Sequence, residues 1–199
     1  MIYEALQIIS EQLDNYLSAA GLGNLVTLEN IAMIETSNDN SNKLDNKVVL
    51  TLLNLEEETT LKNLPNYKVI DKTTTEYRNP PVHLNLFLLI SGNCTSYSDS
   101  LRSISKTIEF FQGKKIFTSE NTVYEIKEDF DLLGHFKLIT ELYTPSFEEL
   151  NHVWGTLGGR QLPSVIYKIQ LVEIDQKLLK GTEKVILEIT DTLKLKEKV

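Results

Sequence analysis

The sequence predicts an α+β fold: a mixed, mainly antiparallel sheet of four to six strands covered by two or three helices. Three observations predict it. Apolar residues recur at three- and four-residue steps in three separate segments, the spacing of one-sided helices. Several other segments alternate apolar and polar residues, the period of a pleated strand. The segments follow one another as helix, strand, strand, strand, helix, short strand, strand, helix, strand and tail, an order that layers helices on a sheet.

The first segment, 2–20, carries Ile2, Leu6, Ile9, Leu13, Tyr16 and Leu17 at helical steps, and Gly21 and Gly23 stop it. Such a stripe must lie on something, either a sheet or a neighbouring subunit. Residues 26–35 read as a strand through Val26, Leu28, Ile31 and Ile34, with a slip near Asn30 that fits a bulge. A polar loop, 37–46, leads to a second strand at 47–55, and the two are expected to form a hairpin. Residues 56–79 are polar with scattered apolar members and read as a long loop. Pro80 and Pro81 fix an extended entry into the next strand.

That strand, 82–91, has the clearest alternation in the chain: Val82, Leu84, Leu86, Leu88 and Ile90 against His83, Asn85, Phe87, Leu89 and Ser91. Its second half is apolar on both faces, which predicts a central position covered from both sides. A helix follows at 96–111, with Leu101, Ile104, Ile108 and Phe111 assigned to one face and Gly113 as its cap. A short strand is expected at 115–118, an irregular acidic stretch at 120–134 and a strand at 137–144. Ser146, with Glu149 three residues on, forms a capping box for a helix whose apolar face is Leu150, Val153, Trp154 and Leu157, ended by Gly158 and Gly159. Residues 163–175 alternate again as a strand, and a last short strand or extended arm is expected at 185–189. The expected organisation is one domain over 1–175 and an arm or short strand over 176–199.

Composition narrows the function classes. The chain has 199 residues, 41% apolar and 24% charged, which is ordinary for a globular protein and too apolar for a disordered one. A net charge of −8 disfavours nucleic acid, whose phosphates call for clustered Lys and Arg. Residues 176–199 hold six Lys against four acids, so they are +2 while the rest is −10. Cys94 is the single cysteine, so no internal disulfide framework arises. No basic-then-apolar leader and no run long enough to span a membrane is present, so cytoplasmic folding without membrane insertion is expected.

The search for chemistry returns no constellation. His83, His135 and His152 stand apart, outside any metal-binding spacing. Cys94 follows a strand and precedes a helix, a nucleophile's position, but the glycine-flanked serine-elbow pattern is missing, and a small buried hydrophobe is the better reading. Gly113-Lys114-Lys115 lacks the upstream glycine and the hydroxyl residue of a phosphate loop. Gly158-Gly159-Arg160 sits at a helix C-terminus, where the dipole has the wrong sign for anions. Glu56-Glu57-Glu58 and Asp129-Phe130-Asp131 read as solvated loops, and Trp154 as core. No catalytic, cofactor-binding or metal-binding residue is therefore assigned, and no cofactor is expected.

Three stretches together carry a resemblance. The first is the proline-led strand Asn79-Pro80-Pro81-Val82-His83-Leu84-Asn85-Leu86, leading into the helix of Leu101 and Ile104. The second is Leu142-Tyr143-Thr144-Pro145-Ser146-Phe147-Glu148-Glu149-Leu150, then Val153-Trp154 and Leu157. The third is Leu162-Pro163-Ser164-Val165-Ile166-Tyr167-Lys168-Ile169, ending in Val172-Glu173-Ile174-Asp175. Over about residues 1–175 the chain resembles the N-terminal-domain family of cap proteins of extracellular contractile injection systems, the antifeeding-prophage and virulence-cassette type. Residues 56–80 and 119–135 carry no matching motif.

The resemblance implies a tail terminator similar in role and fold to those of phage tails. Such a protein is a non-enzymatic cap, forms a homohexameric ring, and closes the distal end of inner tube and contractile sheath. Its partners would be copies of itself and the sheath and tube proteins, with no nucleic acid. The helix 2–20, the segment 56–80 and the tail 176–199 are the expected contact surfaces, the tail as an arm for strand exchange. A baseplate or adaptor subunit of the same machine is the alternative, and an enzyme built on Cys94, His83 or His152 the more remote one.

Overall fold

A computed structural model describes residues 2–23, 26–35, 44–61, 67–69, 74–79, 81–122, 136–174 and 179–184. The chain divides into two units, one of residues 1–58 and 83–174, the other of 59–82 and 175–199.

The first unit holds a six-stranded sheet of β1 (Val26–Leu28), β2 (Lys47–Glu57), β5 (Val82–Asn93), β6 (Ile116–Thr118), β7 (Lys137–Tyr143) and β8 (Ser164–Ile174). Their order across the sheet is β1-β2-β5-β8-β7-β6. Among the described residues three helices accompany it: α1 (Ile2–Ala19), α2 (Tyr97–Gly113) and α3 (Phe147–Thr156). β1 runs parallel to β2, while β2 with β5, β6 with β7, and β7 with β8 are antiparallel, so the sheet is mixed as predicted.

Adjacent strand residues point to opposite faces, and the core divides accordingly. Val48, Leu50, Leu86, Leu88, Ile90, Leu138, Tyr167 and Ile169 face one cluster with the inner sides of α1 and α2. Val49, Leu89 and Ile166 face the other, with Trp154 of α3, Ile31 and Leu44. β5 is thus covered on both sides, as its doubly apolar half predicts. Burying each large side chain of α1 (Leu6, Ile8, Ile9, Leu13, Leu17) contributes about 1.5–3 kcal/mol, far above its helix propensity, so α1 is held by packing. Its apolar stripe therefore lies on its own sheet.

Several expectations are corrected. The strand over 26–35 ends at Leu28, and a 3₁₀ turn follows at Ile31–Glu35. Asn30 starts that turn: its Oδ1 accepts from the Ala32 N–H at 3.0 Å and its backbone O from the Met33 N–H at 3.1 Å. Thr51 locks it, accepting from Ile31 N–H at 3.0 Å and donating to Glu29 O at 2.7 Å. The chain accordingly returns to pair β2 parallel to β1, and no hairpin forms.

The buried face of α2 is also rotated from the expected one. Ser100, Ser103, Ile104, Thr107, Phe110 and Phe111 are buried, whereas Leu101 and Ile108 are exposed. Small hydroxyl residues face the sheet because the helix comes close to it at Gly92, where a Cβ would lie 3.0 Å from Ser100 O. Their hydroxyls bond within the helix, Ser103 Oγ to Asp99 O at 2.8 Å and Thr107 Oγ1 to Ser103 O at 2.9 Å, so no buried donor is stranded. Lys114, not Gly113, is the C-cap of α2.

The second unit is a three-stranded antiparallel sheet of β3 (Tyr67–Val69), β4 (Thr74–Arg78) and β9 (Leu179–Lys184), with β4 central. Strands thus replace part of the loop expected over 56–79, whose first residues, Glu56 and Glu57, belong to β2. The strand of the stretch expected as an arm lies at Leu179–Lys184, and the strand expected at 185–189 lies outside the described residues, as does most of 120–134.

Candidate docking surface

The surface that distinguishes this fold is built by its two short edge strands. β1 pairs only with Val48, Val49 and Leu50, so β2 continues beyond its partner, among the described residues. The ladder of β2 is bulged between Leu52 and Asn54, a device that interrupts edge pairing. On the opposite edge, β6 pairs only with Lys137, Leu138 and Ile139. One more bond, Thr140 N–H to Lys115 O at 2.8 Å, closes that ladder. Residues 141–143 of β7 then have β8 on one side and no strand on the other, among the described residues.

Exposed apolar side chains collect beside this open edge. Phe147 is 92% exposed, Tyr97 71% and Leu142 55%, with Ile108 and Tyr143 nearby. Tyr97, Ile108, Leu142, Tyr143, Phe147 and Leu162 line part of one groove of about 660 Å³. A second hollow of about 440 Å³, bounded by Phe111, Ile116 and Ile139, shares Ile108 and Leu142 with it. Scattered apolar residues on a surface are unremarkable, but a contiguous patch marks a contact.

The predicted capping box orders the turn that carries Phe147 at one side of the patch. Ser146 Oγ accepts from Glu149 N–H at 3.2 Å, and Glu149 Oε2 accepts from Ser146 N–H at 2.7 Å. This fixes the turn that presents Phe147 at the first position of α3. The Ser146 backbone bond holds the Glu149 carboxyl below its ordinary range, and the Glu149 charge, 3.4 Å away across a hydrogen bond, raises the Tyr143 phenol. Ser146→Ala should cost about 1 kcal/mol, read as a fall in thermal midpoint. A lowered carboxyl pKa contributes stability above the unfolded-state value that is lost as pH falls through the folded one. The capping contribution should therefore fade on acidification, and Glu149→Gln should flatten that part of the stability profile measured from pH 7 down to 3.

The residues weighed for chemistry are not brought together. His83 and Cys94 lie at opposite ends of β5, eleven residues apart and so about 35 Å along the strand. His152 is exposed on α3, and His135 lies outside the described residues with Asp129 and Asp131. Cys94 Sγ lies 3.6 Å from Ser103 Oγ and its N–H donates to Ser100 Oγ at 3.2 Å, contacts of a packed connection. Glu56 and Glu57 alternate on a strand, and Glu58 accepts from Asn85 Nδ2 at 2.9 Å, so the acidic triplet is not a loop. Lys114 is a clamp between elements: its Nζ donates to Gln12 Oε1 and Asn121 O, both at 3.1 Å, 4.9 Å above the Phe117 ring, and burial pushes its pKa down. Gly158 and Gly159 have φ of 103° and 81° and turn the chain out of α3, as a terminating pair should. No group of three metal-binding side chains occurs among the described residues, and no helix among them is long and apolar enough to cross a membrane.

Sequence reasoning missed this patch. Leu142 and Tyr143 read as ordinary strand members and Ile108 as core. The signal available was Phe147 directly after a capping serine, where a buried side chain is not expected.

The geometry has counterparts. A family model described as the Pvc16 N-terminal domain matches residues 4–188. No curated protein sequence matches the chain. Among solved structures, the sheath/tube terminator of an extracellular contractile injection system, PVC, in its extended state, is similar at 14% identity and a TM-score of 0.65, over 100% of this chain and 65% of that one. The tube terminating cap of the anti-feeding prophage is similar at 13% identity and 0.65, over 97% of this chain and 62% of that one. The chain thus spans less than two thirds of the length of either relative, and at these identities the likeness is one of fold.

Proposed function

The chain belongs to the Pvc16 N-terminal domain family, and from that premise we propose that it is a structural cap, the terminator of the inner tube and contractile sheath of a phage-tail-like injection particle. The observation that carries this reading is the fold shared along the whole chain with a sheath/tube terminator. The stretch of β7 with no strand beside it among the described residues, and the contiguous apolar patch next to it, support it, because a cap works by presenting surfaces to a polymer tip and to its own copies. The scattering of Cys94, His83 and His152 supports a non-enzymatic role.

In this reading the protein assembles in the cytoplasm as a homohexameric ring on the end of the tube and sheath far from the spike. A tube of six-fold symmetry is ended by a ring that matches it on one face and offers no copy of that surface on the other. Sheath and tube proteins are its partners, and segments 56–80 and 176–199 contribute contacts.

Deleting the gene should give tubes and sheaths of uncontrolled length, or particles that fall apart, when lengths are measured by negative-stain microscopy. Stable particles of normal length in the deletion strain would refute the assignment. Cys94→Ala and His152→Ala should leave the length distribution unchanged; a lost particle population with the fold intact would favour a catalytic role.

A further inference from the structure

Phe147 stands 92% exposed at the first position of a helix whose start is ordered by a capping box. An aromatic ring left in water forgoes most of the apolar burial it could gain in a contact. Glu148, beside it, is exposed and has no ion pair among the described residues. Glu149 accepts from the Ser146 N–H and the Tyr143 hydroxyl and adds a second negative charge. The start of α3 is therefore an apolar knob with an acidic collar.

A hollow of matching chemistry lies elsewhere on the chain. The space of about 440 Å³ between the end of α2 and β7 is floored by the Phe111 and Tyr167 rings, whose centroids lie 4.2 Å apart. Ile108, Ile116 and Ile139 wall it. An aromatic floor of this kind takes a further ring edge-on or offset. No residue of α3 lines the hollow, so Phe147 of the same chain does not fill it. β6 and β7 are antiparallel, so the chain joining them leaves and returns at the Thr118–Lys137 end, whereas the hollow lies at the Ile116–Ile139 end.

The rim carries the opposite charge. Lys115 is exposed and has no ion pair among the described residues. The acid at the rim, Glu141, is already engaged: its Oε2 accepts from Gln170 Nε2 at 2.9 Å, and Lys168 faces it across the ladder. On α2, Arg102 pairs with Asp99 at 3.3 Å and Lys106 with Glu109 at 2.6 Å. Lys115 is thus left to meet an incoming acid. A second hollow, of about 680 Å³ and lined by Tyr3, Leu6 and Leu52, competes for the knob, but its charged lining residue is Glu29, which repels an acidic collar.

The geometry points to a contact between two copies of the chain, in which Phe147 of one enters the α2–β7 hollow of the next and its Glu148 meets Lys115. The contact rests on the self-association proposed above and adds surfaces outside segments 2–20, 56–80 and 176–199. In the proposed ring it runs head-to-tail, each copy giving its knob to one neighbour and receiving the other's.

Photocapture in the full-length protein tests it. Phe147 is replaced by p-benzoylphenylalanine, which keeps an aromatic knob, and the variant is mixed with an excess of isotopically heavy, unsubstituted chain. After irradiation and digestion, the probe should be found on residues 112–116 of the heavy chain. Capture around Tyr3 and Leu6 of the heavy chain overturns the inference. So does capture confined to the probe's own chain, or none between chains at any concentration. Charge supplies a second arm. Lys115→Glu and Glu148→Lys should each cut capture between chains about fivefold, the scale of an exposed ion pair, and the double variant should restore it. A double variant no better than the single ones overturns the pairing. Phe147→Ala should weaken self-association in sedimentation and leave the thermal midpoint unchanged, because the ring already lies in water in the free chain. Self-association untouched by that change overturns the inference too. The particle-length measurement depends on none of these outcomes, so the cap reading stands or fails separately.

Discussion

Phe117→Ala is expected to lower the thermal midpoint by on the order of 10 °C, corresponding to about 3–5 kcal/mol for a chain of this size. Phe117 is wholly buried, and it is the interior anchor of a strand only three residues long. Its ring centroid lies 6.0 Å from that of Phe110 and 6.4 Å from that of Phe111, under the Lys114 ammonium. Removing it opens a cavity between α2 and the sheet and strips Lys114 of its apolar floor. The effect should be local first: amides of Leu138 and Thr140, which β6 and Lys115 cover, should lose exchange protection before those of β5. Ile116→Ala, at an exposed position on the same strand, serves as the comparison and should cost far less. A fall of less than about 1 kcal/mol for Phe117→Ala in urea unfolding would contradict this account of how β6 is held.

Gly92→Val is expected to destabilise by about 1–3 kcal/mol through overpacking. A Cβ there would stand 3.0 Å from Ser100 O, 3.2 Å from its Cα and 3.3 Å from its Cβ. Two of those atoms are backbone of the first turns of α2, so the helix itself must move. Ser100→Gly, which deletes the Cβ and Oγ but leaves both backbone atoms in place, should therefore fail to rescue Gly92→Val. The same close approach positions Tyr97 and Ile108 beside Leu142, so the variant should also weaken self-association. Unfolding in urea and sedimentation of the double variant check both halves, and a full rescue by Ser100→Gly would show that the side chain alone sets the contact.

The parts of the fold legible in the sequence were those where burial and periodicity agree. α1 and α3 pack one face of an amphipathic pattern, β5 and β8 bury residues of both registers, and the bounds of all four fall within two residues of expectation. Where a long-range side chain decides, the pattern is silent. The parallel pairing of β1 and β2 turns on Thr51 accepting from Ile31, twenty residues earlier, in a turn that Asn30 begins, and local alternation reads equally well as a hairpin. The face of α2 was misplaced because proximity at Gly92 favours serine and threonine over leucine, reversing the usual weight of hydrophobicity. β3, β4 and β9 escaped notice because their short, largely polar sequences carry no apolar period.

The candidate site divides similarly. The capping box was plain in the sequence, since both partners lie within four residues. The edge beside residues 141–143 was not, because it depends on β6 starting only at Ile116, opposite Ile139, while β7 runs on to Tyr143.

Cryo-electron microscopy of intact particles, with this chain labelled, tests the cap reading most directly. A ring of copies seated on the tube and sheath, at the end opposite the spike, is the predicted result. Label at the spike end, or a far end sealed by another polypeptide, would contradict it.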